Sequence, residues 1–352
     1  MATLGAQFTG ETREAELYTP LDRGRVQCVA CGHRCPISPD FAGVCKVRYN
    51  DGGKLLAPYG YVHSVACDPI EKKPFFHALP GGKALSFGML GCDLHCPYCQ
   101  NWVSSQALRD PRSTLANETI SPRSLVEMAQ RLRAPVVVST YNEPLITAEW
   151  AVAVFREAKL AGLTTGFVSN GNATPEVLKY LRPWLDLYKV DLKGFNDQRY
   201  HELGGRLQPI LDSIRLIHEM GFWLEVVTLI VPGFNDSDTE LRQIAGFLAG
   251  VSPDIPWHVT AFHQDYKMTG PPNTPPETLI RAAEMGRAAG LRYVYAGNLP
   301  GQTGAFEDTR CASCGTTVIE RRGFRVLRNL LLDSGRCPGC SGRIPGVWDR
   351  AV

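Results

Sequence analysis

Gly91-Cys92-Asp93-Leu94-His95-Cys96-Pro97-Tyr98-Cys99-Gln100-Asn101 is the stretch from which the rest of the chain is read. The apolar run before it, Ala84–Met89, has the length and composition of a strand, so the three cysteines fall in the loop at that strand's C-terminal end. Parallel α/β folds place their active sites at this edge. Thiolates at i, i+4 and i+7 of one loop can cap three corners of a cubane iron–sulfur cluster and leave the fourth iron open to a ligand. Structural zinc takes four protein ligands. No fourth cysteine is next in line, although His95 could complete such a set, so zinc stays open as the alternative.

Downstream of the loop the apolar pattern repeats. Runs at Val136–Thr140, Thr165–Ser169, Leu185–Leu192, Trp223–Val231, Trp257–Phe262 and Tyr293–Tyr295 read as strands. Segments with helical spacing lie between them: Ser124–Leu132, Ala148–Ala161, Pro175–Tyr180, Ile210–Met220, Thr239–Leu248 and Glu277–Ala289. Thr147 and Asp238 are N-cap-like, and Gly162, Gly221 and Gly290 are stop signals. Repeated βα units call for a parallel sheet with right-handed crossovers. Six or seven units fall short of a closed eightfold barrel, and a partial barrel is preferred here to a doubly wound sheet. Gln264–Pro276, with four prolines, is a long loop able to cover a site.

Twelve cysteines in 352 residues are too many for chance in a chain with no secretory look. Met1–Leu17 carries Glu11, Glu14 and Glu16 and lacks an apolar core, so it does not read as a signal peptide. No apolar run reaches the roughly 18 residues a bilayer span needs, and even Phe222–Val231 is interrupted by Glu225. A cytoplasmic protein is expected, with its cysteines serving metal or catalysis instead of disulfides. The balance of 37 basic and 35 acidic residues lends no support to a nucleic-acid or membrane surface.

Two cysteine quartets flank the core. Cys311-x2-Cys314 and Cys337-x2-Cys340, 22 residues apart, read as a zinc ribbon with a hairpin from Val318–Leu332; a rubredoxin-like iron or iron–sulfur site is the alternative. Cys28-x2-Cys31-x3-Cys35-x9-Cys45 fits zinc or an auxiliary cluster, and spacing does not choose between them. Three parts follow: a four-cysteine metal-binding lobe over 1–80, a core over 81–302 and a ribbon-like module over 303–352. Cys67 stands apart, near His63 and His77 in sequence; a buried, inert thiol is the expectation, a hydrogen-atom donor the alternative. Glu71-Lys72-Lys73 reads as a solvated run with a substrate-facing role as the alternative.

The C-x3-C-x2-C loop, with Tyr98 before its last cysteine, resembles the signature of the radical S-adenosylmethionine (SAM) superfamily. Tyr141-Asn142-Glu143-Pro144 is similar to the segment that holds the SAM amino group. Ser169-Asn170-Gly171, Asp191-Leu192-Lys193, Val231–Asp236 and Trp257–His263 resemble segments of the pyruvate formate-lyase activating enzyme group. Asp68–Pro74, the flanking quartets and Tyr295–Asn298 resemble the radical SAM enzymes of the AmmeMemoRadiSam system.

The resemblance implies a partial (β/α)6-type TIM barrel carrying a [4Fe–4S] cluster on Cys92, Cys96 and Cys99. SAM would be contacted by Tyr98, Asn142, Glu143, Ser169, Asn170, Asp191, Lys193 and His263, with Asp191 and Lys193 nearest the chemistry. Glu143 is matched to the ammonium and Lys193 to the carboxylate. A 5′-deoxyadenosyl radical would then take hydrogen from a substrate, with a flavodoxin or ferredoxin as reductant and companion proteins of the same system as partners. Abstraction from a glycine of a partner protein is one version, and modification of a small metabolite or an RNA is another. The rival from a different class is a non-catalytic scaffold holding three zinc ions.

Overall fold

The computed structural model describes residues 11–113 and 116–349. Its centre is an eight-stranded sheet: β1 (Ser64–Pro69), β2 (Lys83–Gly88), β3 (Val136–Ser139), β4 (Thr164–Ser169), β5 (Leu187–Asp191), β6 (Trp223–Ile230), β7 (Trp257–Ala261) and β8 (Val294–Gly297). Spatial order follows chain order from β1 to β8, with β1 antiparallel and every later pair parallel. A doubly wound sheet reverses its order at a switch point. This one never does, so the winding is that of a barrel left open between β1 and β8. The seven parallel strands are those expected from periodicity. The strand Ser64–Pro69 was not, and it draws the sheet into the stretch assigned to the amino-terminal lobe.

Six helices form the outer layer: α1 (Pro122–Arg131), α2 (Ala148–Leu160), α3 (Pro175–Leu181), α4 (Leu207–Glu219), α5 (Asp238–Val251) and α6 (Pro276–Ala288). Ser121, Thr174 and Ser237 cap α1, α3 and α5 by accepting amides three residues on. The cap of α5 is thus Ser237 and not Asp238, which sits in the first turn where its charge favours the dipole. Thr147 precedes α2, but its hydroxyl bonds back to Pro144 O (3.3 Å) and caps nothing. Gly162, Gly221 and Gly290 follow α2, α4 and α6 with positive φ.

Alternate residues divide the sheet into two faces. Leu85, Phe87, Val137, Phe167, Tyr188, Val190 and Val226 pack with the helices in the main core. Ala84, Val136, Val138 and Leu187 face the lumen and meet Ile70, Phe75, Ala78 and Leu79, which plug its lower end. The plug carries the Glu71-Lys72-Lys73 run, and the solvated reading of it is corrected here. Glu71 is fully buried opposite Arg321 (3.7 Å), Lys73 is buried, and only Lys72 is outside, paired with Asp68 (3.0 Å).

The carboxy-terminal hairpin, Thr317–Arg322 with Arg325–Asn329, closes the plug from outside. Phe76, Tyr293, Tyr295, Val318, Ile319 and Ile344 form one cluster there, and the Arg321 guanidinium donates to Phe76 O (2.7 Å). Before residue 64 lie two three-stranded antiparallel sheets; Cys28 ends a strand of one, and Cys31, Cys35 and Cys45 lie in loops. Among the described residues no helix is long and apolar enough to cross a membrane.

Candidate active site at the C-terminal edge of the sheet

The loop 91–101 leaves β2 at the edge where β3, β4, β5 and β7 also end. Gly91 makes its first bend. It has φ +91°, and a side chain there would come within 2.7 Å of Val47, so no L-residue fits without moving the amino-terminal lobe. Cys96 is buried and Cys92 and Cys99 are half-buried, with Leu94, Tyr98, Leu203, Val231 and Phe262 around them. Burial pushes the Cys96 thiol up to about 12, partly offset by the Lys193 ammonium. His95 packs on Gly204 and donates its amide to Leu203 O (2.9 Å). Among the described residues no ligand group at this loop has the close spacing a single ion needs. The three-cysteine arrangement suits a cluster that presents each thiolate to a different iron.

Glu143 is the residue on which the polar edge is organised. Its Oε1 accepts from Ser169 Oγ (2.7 Å) and Leu145 N (3.1 Å), and its Oε2 from Asn170 N (2.7 Å). All three donors are neutral, no basic side chain among the described residues pairs with it, and its exposure is 3%. Burial, with Asp93 nearby, pushes its carboxyl up to about 8. Such a group lacks a cation, and an ammonium brought beside it would supply one.

Asp93 is equally buried. It accepts from Asn170 Nδ2 (2.6 Å) and Asn172 Nδ2 (2.8 Å), so Asn170 ties the cluster loop to Glu143. Asn142 Oδ1 accepts from Met89 N (2.9 Å) and thereby pins the ends of β2 and β3 together. Asp93 and Asn172 were missed from sequence, where an acid inside a cysteine loop and a polar residue after a strand carry no distinguishing pattern.

Asp191, at the end of β5, is ion-paired with Lys189 and lies 3.6 Å from Lys193. Burial opposes its charge, but the two lysines outweigh it and hold the carboxyl below its ordinary range. Lys189 and Lys73 both reach into the lumen. Lys73 Nζ donates to Asp68 (3.0 Å) and to the Tyr141 hydroxyl (3.1 Å), whose residue directly precedes Asn142. The Ser86 hydroxyl, on the same face, has no partner among the described residues.

His263 faces the cluster loop, its Nε2 accepting from Gln100 Nε2 (2.9 Å). Tyr98 is buried edge-on to Phe234 and forms part of the apolar wall. The proline-rich loop crosses the cysteines, with Lys267 N on Pro97 O (2.9 Å) and Tyr266 stacked on Trp102.

The two outer quartets are held differently. Sulfurs of Cys311, Cys314, Cys337 and Cys340 all lie within 4.8 Å of one another, a group able to bind a metal ion. Cys67 is half-buried on β1 against the helix-side core, away from His77, which is fully buried beside Tyr295 (2.6 Å).

Comparison with known proteins bears on the same residues. The sequence profile of the Radical SAM superfamily matches residues 88–248. Uncharacterized protein MJ0808 of Methanocaldococcus jannaschii is 37% identical over 94% of this chain and 98% of its own. The pyruvate formate-lyase-activating enzyme of Staphylococcus aureus is 24% identical over 53% of this chain and 76% of its own. Among solved structures, a radical SAM methyltransferase from Sphaerobacter thermophilus aligns with a TM-score of 0.48 at 18% identity, covering 67% of this chain and 70% of that one.

Proposed function

The chain belongs to the radical SAM superfamily, and from that premise we propose that it cleaves SAM reductively at a cluster on Cys92, Cys96 and Cys99 and uses the resulting radical on a substrate held in the lumen. The observation that carries this reading is Glu143, a buried carboxylate with three neutral donors and no cation, one strand from an open-sided cysteine loop. Cys92, Cys96 and Cys99 would hold the [4Fe–4S] cluster, which would supply one-electron reduction of the bound sulfonium.

The protein's own groups do the rest. Glu143 takes the SAM ammonium, held in place by Ser169 and Asn170. Lys193 meets the carboxylate, its charge maintained despite burial, chiefly by Asp191 and then by Cys96. Tyr98, Phe234 and Val231 form the apolar wall toward the base, and His263 with Gln100 borders the loop. The loop 264–275 excludes water from above.

The substrate's place is the lumen beneath SAM. Asp191, Lys189, Lys73 and Tyr141 line it, so a polar substrate able to hydrogen-bond to these groups suits it. The relation to pyruvate formate-lyase-activating enzymes supports a version in which the radical takes a glycine hydrogen from a partner protein. The segment Asp68–Pro74 supports membership of the AmmeMemoRadiSam system, whose companion proteins would then be the first partners to try. A flavodoxin or ferredoxin is the proposed reductant, and a zinc ion on the carboxy-terminal quartet is a structural staple. The test is anaerobic incubation of the iron-loaded protein with SAM and dithionite. The reading expects 5′-deoxyadenosine and methionine in equal amounts; intact SAM from a fully loaded protein would refute it.

A further inference from the structure

The amino-terminal quartet lies beside the catalytic loop. The pairing of Val26–Cys28 with Pro36–Ile37 brings Cys28 N onto Cys35 O (3.0 Å), and Cys31 lies in the turn between them. Cys35 Sγ accepts from Val44 N (3.5 Å), one residue before Cys45. Cys28, Cys31 and Cys45 are 5%, 6% and 7% exposed, so the four residues converge in a buried place. From there Gly32 N donates to Asn172 O (2.8 Å), and His33 Nε2 meets Asp93 O (3.2 Å), the residue next to Cys92. Arg109 clamps the junction, bonding Leu94 O (2.9 Å) on one side and Val44 O on the other.

Sulfur spacing separates the two quartets. Zinc–sulfur bonds of about 2.3 Å in a tetrahedron put ligand sulfurs about 3.8 Å apart. The carboxy-terminal quartet matches this, with 3.6 Å between Cys311 and Cys340 and between Cys314 and Cys337. Two of its members are exposed, as suits a peripheral staple. Among the described residues the amino-terminal quartet does not gather within 4.8 Å, and neither do Cys92, Cys96 and Cys99. The amino-terminal cysteines thus share both the wider spacing and the burial of the loop that the superfamily loads with a cubane.

We propose that Cys28, Cys31, Cys35 and Cys45 hold an iron–sulfur cluster and not zinc, forming a second redox centre packed against the SAM-cleaving one. Four cysteines complete its coordination, so it has no open iron and does not bind SAM; its chemistry is one-electron exchange with its neighbour. In each exchange one cluster loses the electron the other gains, and the first electron comes from a low-potential flavoprotein or ferredoxin. Both the electron exchange and the likeness to the loop of Cys92, Cys96 and Cys99 rest on the function proposed above.

The test is a metal count on the full chain after anaerobic reconstitution, with two variants to locate the iron. Wild type is expected to carry about eight irons and one zinc, two cubanes and one four-thiolate zinc site. Cys92→Ala/Cys96→Ala/Cys99→Ala should keep about four irons, with a reduced-state EPR signal that SAM does not alter. Cys35→Ser, at a half-buried edge, should keep about four irons with a signal that SAM does alter. About four irons and two zincs in wild type would overturn the proposal, and that count requires no variant to fold. Failure of the SAM-cleaving reading looks different: iron that survives the triple substitution in full, or a Cys35→Ser signal indifferent to SAM.

Discussion

Glu225 and Glu143 are carboxylates buried at opposite ends of the lumen, and their surroundings treat them in opposite ways. At the lower end Glu225, with no exposure, accepts from the amides of Phe76 (3.0 Å) and His77 (2.9 Å), from Trp223 Nε1 (3.0 Å) and from His258 Nε2 (2.7 Å). Burial alone would raise its pKa, but His258 and the other donors outweigh this and lower it. Glu71, also at this end, faces Arg321 at 3.7 Å, and burial still pushes its carboxyl up. At the upper end Glu143 is as buried, has only neutral donors, and is pushed up to about 8. The lower end sets each of these carboxylates against a basic side chain of the chain, His258 for Glu225 and Arg321 for Glu71, and so joins plug, sheet and hairpin. The other is complete only with a cation added. This is the division expected of a barrel, stability below and chemistry above the strands' C-terminal ends.

The largest expected difference between the ends is in catalysis itself. Cys96→Ala should lose the central cluster and all SAM cleavage, while the zinc of the carboxy-terminal quartet stays at one per chain; iron and zinc analysis with product detection reads both. Glu225→Gln should cost about 3 kcal/mol of stability, because it breaks a buried partnered charge, and should leave SAM affinity near wild type. Denaturant unfolding and calorimetric titration together check it. A loss of SAM affinity at unchanged stability would remove the distinction.

Glu143→Gln should show the reverse, with SAM bound roughly 10- to 100-fold more weakly for the loss of about 1.5–3 kcal/mol from one charged hydrogen-bonded pair.

The smallest effect is in pH. A carboxyl raised from 4.5 to about 8 by burial favours the folded state while neutral. That contribution is fully present below pH 4.5 and is lost as pH rises through about 8. The stability of ligand-free wild type relative to Glu143→Gln should therefore fall across this window. A flat or rising difference would mean that Glu143 already has a cation.

Much of the upper end was legible because the chemistry there is local. Each strand delivers its polar residues within two or three positions of its apolar run, as in Val168-Ser169-Asn170 and Val190-Asp191-Leu192-Lys193. The lower end was not legible, because its partners are far apart in sequence. Glu71-Lys72-Lys73 looks like any charged surface turn until Arg321 and Tyr141 are brought to it by the fold. The strand Ser64–Pro69 escaped for a related reason: Asp68 on the lumen face answers to Lys73, so its pattern lacks the alternation of a half-buried strand. Asp93 and Asn172 gain their meaning only where the amino-terminal lobe docks, since a one-residue feature in a loop has no period to reveal it. The quartets were found by spacing, but spacing along the chain is not spacing between sulfurs, and only the latter separates one metal ion from several.

The most direct test of the upper end is the EPR spectrum of the reduced central cluster before and after SAM is added, in wild type and in Glu143→Gln. SAM should change the wild-type signal, and the variant should require at least roughly tenfold more SAM for the same change. A wild-type signal that SAM leaves untouched would contradict the assignment of this edge as the SAM site.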